Sequence, residues 1–412
     1  MAVWDDLVGQ ARVAEQLTAA ARDADALVTA HAAGDAAAEA AVFAGSAMTH
    51  AWLFTGPPGS GRSTAARAFA AALQCVSPDR ALGGAPGCGF CEGCHTALVG
   101  THADVDVVRT EMLSIGVKET RELVRRAQLS PAGGRWQVIV LEDADRLTEG
   151  AGNVLLKAVE EPAPRTVWLL CAPSTEDVLP TIRSRCRHLG LRTPPVDAVA
   201  DLLVRRDGIE PALAAACAHA TGGHIGRARR LATDERARAR RAAVLRLPLR
   251  VETVGGCLGA AQELIEAAEE DAKQVAEELD ARETEDLRAA LGAAEGKRLP
   301  RGTAGVMKEL EDKQKRRATR TQRDSLDLAL TDLAAFYRDV LARQIGAASA
   351  RPPAGADHEL TAAEGVARVA AASRPEETLR RMEAILECRE ALDRNVAPLL
   401  AVESMALALR AG

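Results

Sequence analysis

A chain of 412 residues, 47% hydrophobic and 27% charged, has the length of two or three domains and enough apolar surface to bury real cores. Its net charge of -6 excludes a polyanion binder over its whole surface, so a nucleic-acid contact would have to be a local patch. No apolar run reaches the roughly 18 residues of a membrane span. The opening Met1-Ala2-Val3-Trp4-Asp5-Asp6 is acidic and carries no signal-peptide pattern, so the expectation is a cytoplasmic protein without membrane contact.

In chain order, the alanine-rich stretch 19–47 reads as a low-complexity insertion, helical or loosely ordered, with no chemistry of its own. Trp52-Leu53-Phe54 is a short apolar run feeding a glycine loop, and 63–73 is a helix without a breaker. Strands are expected at 105–108, 137–141 and 166–171, and helices at 118–128 and 151–161, the last stopping before Pro162. Alternation of this kind implies a mainly parallel sheet with helices on both faces, and ligands beyond the strand C-termini. Pro194-Pro195 punctuates the end of this block. Three short helices follow at 196–206, 211–220 and 225–231. From about Val251 the chain reads as long helices, broken near Gly296 to Gly305 and near Ala350 to Ala356. The expected organisation is an α/β domain over 1–193, a small helical domain over 194–250 and an all-α domain over 251–412.

Gly56-Pro57-Pro58-Gly59-Ser60-Gly61-Arg62-Ser63-Thr64 has the spacing of a phosphate-binding loop, with arginine at the lysine position. Its glycines let backbone N–H groups wrap phosphate oxygens at a helix N-terminus. Arg62 keeps the charge but is larger and planar, so the residues leave ATP or ADP binding open. The strand Val138-Ile139-Val140-Leu141 ends in Glu142-Asp143, acids placed to coordinate Mg²⁺ and orient an attacking water. A working ATPase of this type carries Asp then Glu; the reversed order changes both reaches. The bland alternative is a pair of acids solvating a strand end.

Nine cysteines, an odd number unevenly placed, argue against a disulfide framework. Cys75, Cys88, Cys91 and Cys94 have the spacing of a closed tetrahedral Zn²⁺ site, structural and not catalytic. Cys171, Cys186, Cys217, Cys257 and Cys388 read as small core hydrophobes. Ser184-Arg185-Cys186 lies in a basic run. Physics alone reads Arg185 as a surface arginine, with contact to a neighbour's γ-phosphate as the alternative. The basic stretch 308–323 reads as a solvated helix face, with phosphate contact as its alternative.

With these residues in place, the chain resembles the bacterial clamp-loader family of AAA+ proteins, in particular the delta-prime kind of DNA polymerase III subunit of actinobacterial style. Trp4-Asp5-Asp6-Leu7-Val8-Gly9-Gln10 is similar to the family's opening motif near the adenine pocket. Asn153-Val154-Leu155-Leu156-Lys157-Ala158-Val159-Glu160-Glu161-Pro162 and Ser184-Arg185-Cys186 are the most diagnostic segments. The resemblance covers roughly 3–231 and is only architectural beyond 251, where the family has a helical oligomerisation collar. It implies a P-loop domain with a zinc module, a helical lid and that collar. Implied partners are the motor (gamma/tau) and delta subunits, the sliding clamp and primed DNA. It also implies that Arg185 is an arginine finger offered to the ATP site of the adjacent motor subunit.

Departures from the motor-subunit pattern accompany Arg62 and Glu142-Asp143. The segment Cys171-Ala172-Pro173-Ser174 lacks the family's paired threonines. Gly226 stands where an arginine is expected, with Arg227 one position late, about 100° around a helix. The expectation is a non-hydrolysing subunit, with an active motor-type ATPase as the alternative. A zinc-dependent DNA-binding protein fits less well, since aromatics for base stacking make up only 2% of the chain. Nothing in the sequence resembles a polymerase active site.

Overall fold

The computed structural model describes residues 2–34, 46–110, 112–133, 135–290, 304–347 and 362–412. They form two compact units, Met1–Arg229 and Arg230–Gly412.

Unit one is built on five parallel strands: β1 (Ala51–Thr55), β2 (Val105–Val108), β3 (Gln137–Leu141), β4 (Thr166–Ala172) and β5 (Arg187–Gly190), in the order β2-β3-β4-β1-β5. Along β1 the side chains alternate between two cores, as a period of two requires. Trp52 and Phe54 enter one, with α1 (Ala11–Ala32) and α2 (Arg62–Leu73). Ala51 and Leu53 enter the other, with α4 (Val117–Ala127) and α5 (Glu149–Glu160), after α3 (Glu92–Val99) has followed the cysteine segment. Trp52 and Phe69 meet edge to face at 5.1 Å. Strand register places Leu53 beside Leu170 of β4 and His188 of β5. The short α6 (Pro180–Arg183) precedes β5; α7 (Val196–Asp207), α8 (Pro211–Ala220) and α9 (Ile225–Thr233) follow it, and the division between units falls in α9.

The first half of the alanine-rich stretch is helical, the first of the two expected states. It continues α1, which begins ahead of it and buries Leu17, Ala20, Ala21, Ala24 and Leu27 at helical spacing; residues 35–45 lie outside the described residues. β5 has no apolar run to announce it: Arg187, His188 and Gly190 are exposed and only Leu189 is buried, as suits a strand at a sheet edge.

Unit two contains α10 (Glu235–Arg246), α11 (Val254–Ala290), α12 (Ala304–Gln344), α13 (Ala363–Ala372), α14 (Pro375–Asp393) and α15 (Pro398–Ala411). The breaks expected near Gly296 to Gly305 and Ala350 to Ala356 fall outside the described residues, apart from Ala304 and Gly305, which open α12. Leu326, Leu330, Leu333, Tyr337 and Val340 of α12 line one buried stripe, packed with Ala261 and Ile265 of α11 and Val402 and Met405 of α15. The basic stretch is not one solvated face. Lys315 and Arg316 are exposed, but Arg317 and Arg320 are buried, and Arg317 pairs with Asp280 and Glu283 of α11. Hydrogen bonds from Arg317 and Lys313 hold the Glu283 carboxyl down to about 2.

Candidate functional site: a phosphate loop, a four-cysteine cluster and an exposed arginine

The glycine loop sits where β1 ends and α2 begins. Its three glycines all adopt positive φ: Gly56 at 152°, Gly59 at 84° and Gly61 at 91°, the last as the N-cap of α2. A Cβ on Gly56 would lie 2.6 Å from the carbonyl oxygen of Leu191, and one on Gly59 would lie 2.4 Å from Cγ of His224. Ser63 and Thr64 occupy the first turn of α2, where backbone N–H groups lack intrahelical acceptors. Gln10, buried, donates from Nε2 to the carbonyl of Ser60 at 3.2 Å, which ties the N-terminal motif to the loop. Trp4 of that motif lies elsewhere, donating from Nε1 to the carbonyl of Pro86 in the cysteine segment at 3.2 Å.

This cradle fits a phosphate group in two respects. The glycines keep its backbone bare of side chains, and two buried polar atoms, Nη1 of Arg62 and Oγ of Ser60, have no hydrogen-bond partner. The metal-binding end fits less well. Nε of Arg67, one turn into α2, donates to Oε1 of Glu142 at 2.7 Å. Oδ2 of Asp143 accepts from the backbone N–H of Thr110 at 3.0 Å. Burial raises the carboxyl of Asp145 beside them.

His224 and Arg67 were not singled out by sequence reasoning. The imidazole of His224 packs on Gly59, and its Nδ1 accepts from the backbone N–H of Arg227 at 3.3 Å. Burial, with the charges of Arg227 and Arg62, pulls it down to about 4, so it is neutral at pH 7. The only sequence signal for His224 was its place just before α9; for Arg67, it was its one-turn spacing from the loop.

Cys75, Cys88, Cys91 and Cys94 come together with all four sulfurs within 4.8 Å of one another. Cys75 lies 3.9 Å from Cys88 and 3.9 Å from Cys91, sulfur to sulfur. Tetrahedral zinc with bonds of about 2.3 Å separates its thiolates by about 3.8 Å, so the cluster could hold such an ion. Cys91 also caps α3, its sulfur accepting from the N–H of Cys94. A hydrogen bond with Cys94 pulls the Cys75 thiol down to about 4 and pushes Cys94 up. Arg80 donates to the carbonyl of Cys75, and Arg80 and Arg135 both pair with Asp25 of α1. These two cations lie close enough to feel the thiols and to offset the excess negative charge of four thiolates on one dication.

Arg185 is exposed on a tight turn between α6 and β5. The turn is held by Arg185 N–H donating to Ile182 at 3.0 Å, by buried Ile182, and by the half-buried Cys186, whose thiol is pushed up to about 12 by burial. The guanidinium donates to the carbonyl of Thr181 at 2.8 Å and to Oγ of Ser184 at 3.2 Å, and pairs with Glu160 at the end of α5. Glu160 is a further residue that sequence reasoning placed only inside a motif.

A family model described as DNA polymerase III, delta subunit, matches residues 40–195. The DNA polymerase III subunit delta' of Pseudomonas aeruginosa is 39% identical over 166 residues, 40% of this chain and 49% of that protein. The delta' subunit of Bacillus subtilis is 30% identical over 200 residues, 48% and 59% of the two chains. The gamma/tau subunit of Mycobacterium tuberculosis is 37% identical over 159 residues, 38% of this chain and 27% of that protein. Over residues 40–195 the chain is similar to delta-type and gamma/tau subunits of DNA polymerase III. The glycine loop, the four cysteines and Arg185 all lie inside the segment matched by the family model, whereas unit two lies beyond it. The chain spans between about a quarter and three-fifths of the length of these relatives. Among the described residues, no helix is long and apolar enough to cross a membrane.

Proposed function

We propose that this chain is a delta-prime-like, non-hydrolysing subunit of a DNA polymerase III clamp loader. It holds geometry in a ring-shaped assembly and offers Arg185 to the ATP site of an adjacent motor subunit. The observation that carries the reading is the engagement of both strand-end acids. Glu142 is bound through Oε1 by Arg67, and Asp143 accepts through Oδ2 from the backbone of Thr110, so one oxygen of each acid is already committed within the chain, which supports a role other than holding a nucleotide's metal. Arg185 is exposed on a hydrogen-bonded turn, where a residue acting on a neighbour has to be, and its bond to Glu160 is also at the surface.

Gly56, Gly59, Gly61, Arg62, Ser63 and Thr64 would hold the phosphates of ATP or ADP as a static ligand. Bound nucleotide would supply charge for Arg62 and for the helix N-terminus to neutralise, and no step of hydrolysis is assigned to it here. Cys75, Cys88, Cys91 and Cys94 would hold a structural zinc ion. The motor (gamma/tau) and delta subunits are the proposed partners, with the sliding clamp and primed DNA reached through the assembly. Residues 194–250 would act as lid and 251–412 as oligomerisation collar. The proposed location is the cytoplasm.

The test is DNA-stimulated ATP hydrolysis by the reconstituted loader with this chain as wild type and as Arg185→Ala, alongside the chain alone. Loss of an arginine finger costs on the order of 10³-fold or more at the site it serves. A large fall with assembly intact, and no turnover by the chain alone, is the expected result. Unchanged hydrolysis, or turnover by the chain alone, would return the lead to the active-ATPase reading.

A further inference from the structure

We propose that unit two carries a second phosphate site, a cavity bounded by Arg368, Arg381 and Arg410 that takes a small phosphorylated ligand. The cavity has a volume of about 550 Å³, within the range of small-ligand pockets, roughly 300–1,000 Å³. Its charged lining is three arginines against one carboxylate, Glu252. The arginines come from three different helices, α13, α14 and α15, so their convergence is a product of the tertiary fold and not of one basic run.

Each arginine is only partly committed. Nε of Arg381 donates to the carbonyl of Leu409 at 2.9 Å, and its guanidinium lies 6.0 Å above the ring of Tyr337. Its Nη1 is buried without a hydrogen-bond partner, an arrangement that a charged nitrogen keeps only at a cost. Nε of Arg410 donates to the carbonyl of Glu252 at 3.2 Å. Nη2 of Arg368 reaches a carboxylate oxygen of Glu252 at 3.3 Å, but both side chains are largely exposed, so this pair is weak and readily exchanged. Tyr337 forms an apolar floor, its phenol pushed up to about 12 by burial, so it adds no negative charge near neutral pH. Guanidinium forks match phosphate oxygens two at a time, which favours a phosphoryl group over a compact monoanion such as chloride. A polynucleotide backbone calls for cations strung along a groove, whereas these converge on one hollow.

Because the glycine loop of unit one also fits phosphate, the two sites have to be separated. The probe is sodium pyrophosphate, titrated calorimetrically into the full chain bearing Arg62→Ala, then into the same chain with Arg368→Ala and Arg410→Ala added. Both rim arginines are exposed, so thermal melting is expected to stay unchanged. Binding should survive Arg62→Ala and weaken tenfold or more in the triple variant. Arg381→Lys, which keeps the charge and loses the fork, should also weaken it. No binding in the Arg62→Ala background, or binding indifferent to the rim arginines, would overturn the proposal. A single-stranded oligonucleotide that displaces pyrophosphate, binds more tightly and shows a steep salt dependence would overturn the small-ligand assignment in favour of a polynucleotide backbone. None of these outcomes bears on Arg185, so the clamp-loader reading stands or falls separately.

Discussion

Nε of Arg67 sits 2.7 Å from Oε1 of Glu142, joining the helix that starts at the phosphate loop to the end of the strand that should carry the metal ligand. The Glu142 side chain is 8% exposed and that of Arg67 42%, so the acid is buried under an arginine that stays open to water on its outer side. Restoring the missing lysine does nothing to this pair. Arg62→Lys is therefore expected to leave the isolated chain at background in a phosphate-release assay with ATP and Mg²⁺. Turnover clearly above background would show that the loop arginine was the whole defect.

His224 gives the loop a pH dependence. Its imidazole is pulled from about 6.5 to about 4 by burial and by two arginines. Above pH 6.5 both folded and unfolded chains hold it neutral, and stability is unaffected. As pH falls from 6.5 toward 4 the unfolded chain takes up a proton that the folded chain refuses, so stability drops across that window. His224→Gln should lose that part of the acid sensitivity. The direct check is a ring titration by NMR, and a midpoint close to 6.5 would contradict the packing of this ring on Gly59.

The four-cysteine cluster predicts about one zinc per chain by metal analysis. Chelation should make the 75–94 segment sensitive to protease while the sheet persists, because β1, β3 and β4 are buried along their whole length and have a second core on the face away from the cysteines. Affinity should fall as pH is lowered, since the ligands bind as thiolates. Full zinc retention by Cys88→Ser would remove the site from consideration.

Much of this was legible before any coordinates. The strands at 105–108 and 137–141 follow from β-branched runs, the glycine loop from spacing and the cysteines from their crowding into twenty residues. β5 was not legible because an edge strand needs only one buried residue, Leu189, and one residue makes no pattern. The packing of α1 was not legible because alanine serves equally in a low-complexity tract and in a tightly packed helix; Val13, Leu17 and Leu27 are the larger residues that mark its buried face. Arg67, Glu160 and His224 escaped because each acts through a partner far away in sequence, 75 residues in the case of Arg67 and Glu142. Charge pairing across such gaps leaves no local signature.

In unit two, Arg241 of α10 and Asp332 of α12 form a buried ion pair, at 7% and 8% side-chain exposure. Removing one partner strands the other charge in the core. Asp332→Ala is expected to lower stability by about 3–5 kcal/mol, while Arg241→Met with Asp332→Leu should come out near neutral. Urea unfolding followed by helical circular dichroism distinguishes the two, and a single variant costing less than about 1 kcal/mol would mean the pair is solvated in solution.

The pairing of Arg185 with Glu160 yields the last prediction. Both side chains are 38% exposed, so the bond contributes little to folding and Glu160→Gln should melt with the wild type. Its consequence lies in the assembly. On the proposed reading of Arg185 as a finger, it has to exchange its own carboxylate for a neighbour's phosphate, whereas the bonds to Thr181 and Ser184 can keep the turn oriented throughout. Removing the competing charge should lower the ATP concentration needed for half-maximal hydrolysis by a few-fold, on the order of 1 kcal/mol, with the maximal rate little changed. Arg185→Ala should instead depress the maximal rate. The reconstituted loader, titrated with ATP in the presence of primed DNA, separates the two effects. If Glu160→Gln lowers the maximal rate as Arg185→Ala does, Glu160 positions the finger for reaction and does not compete for it.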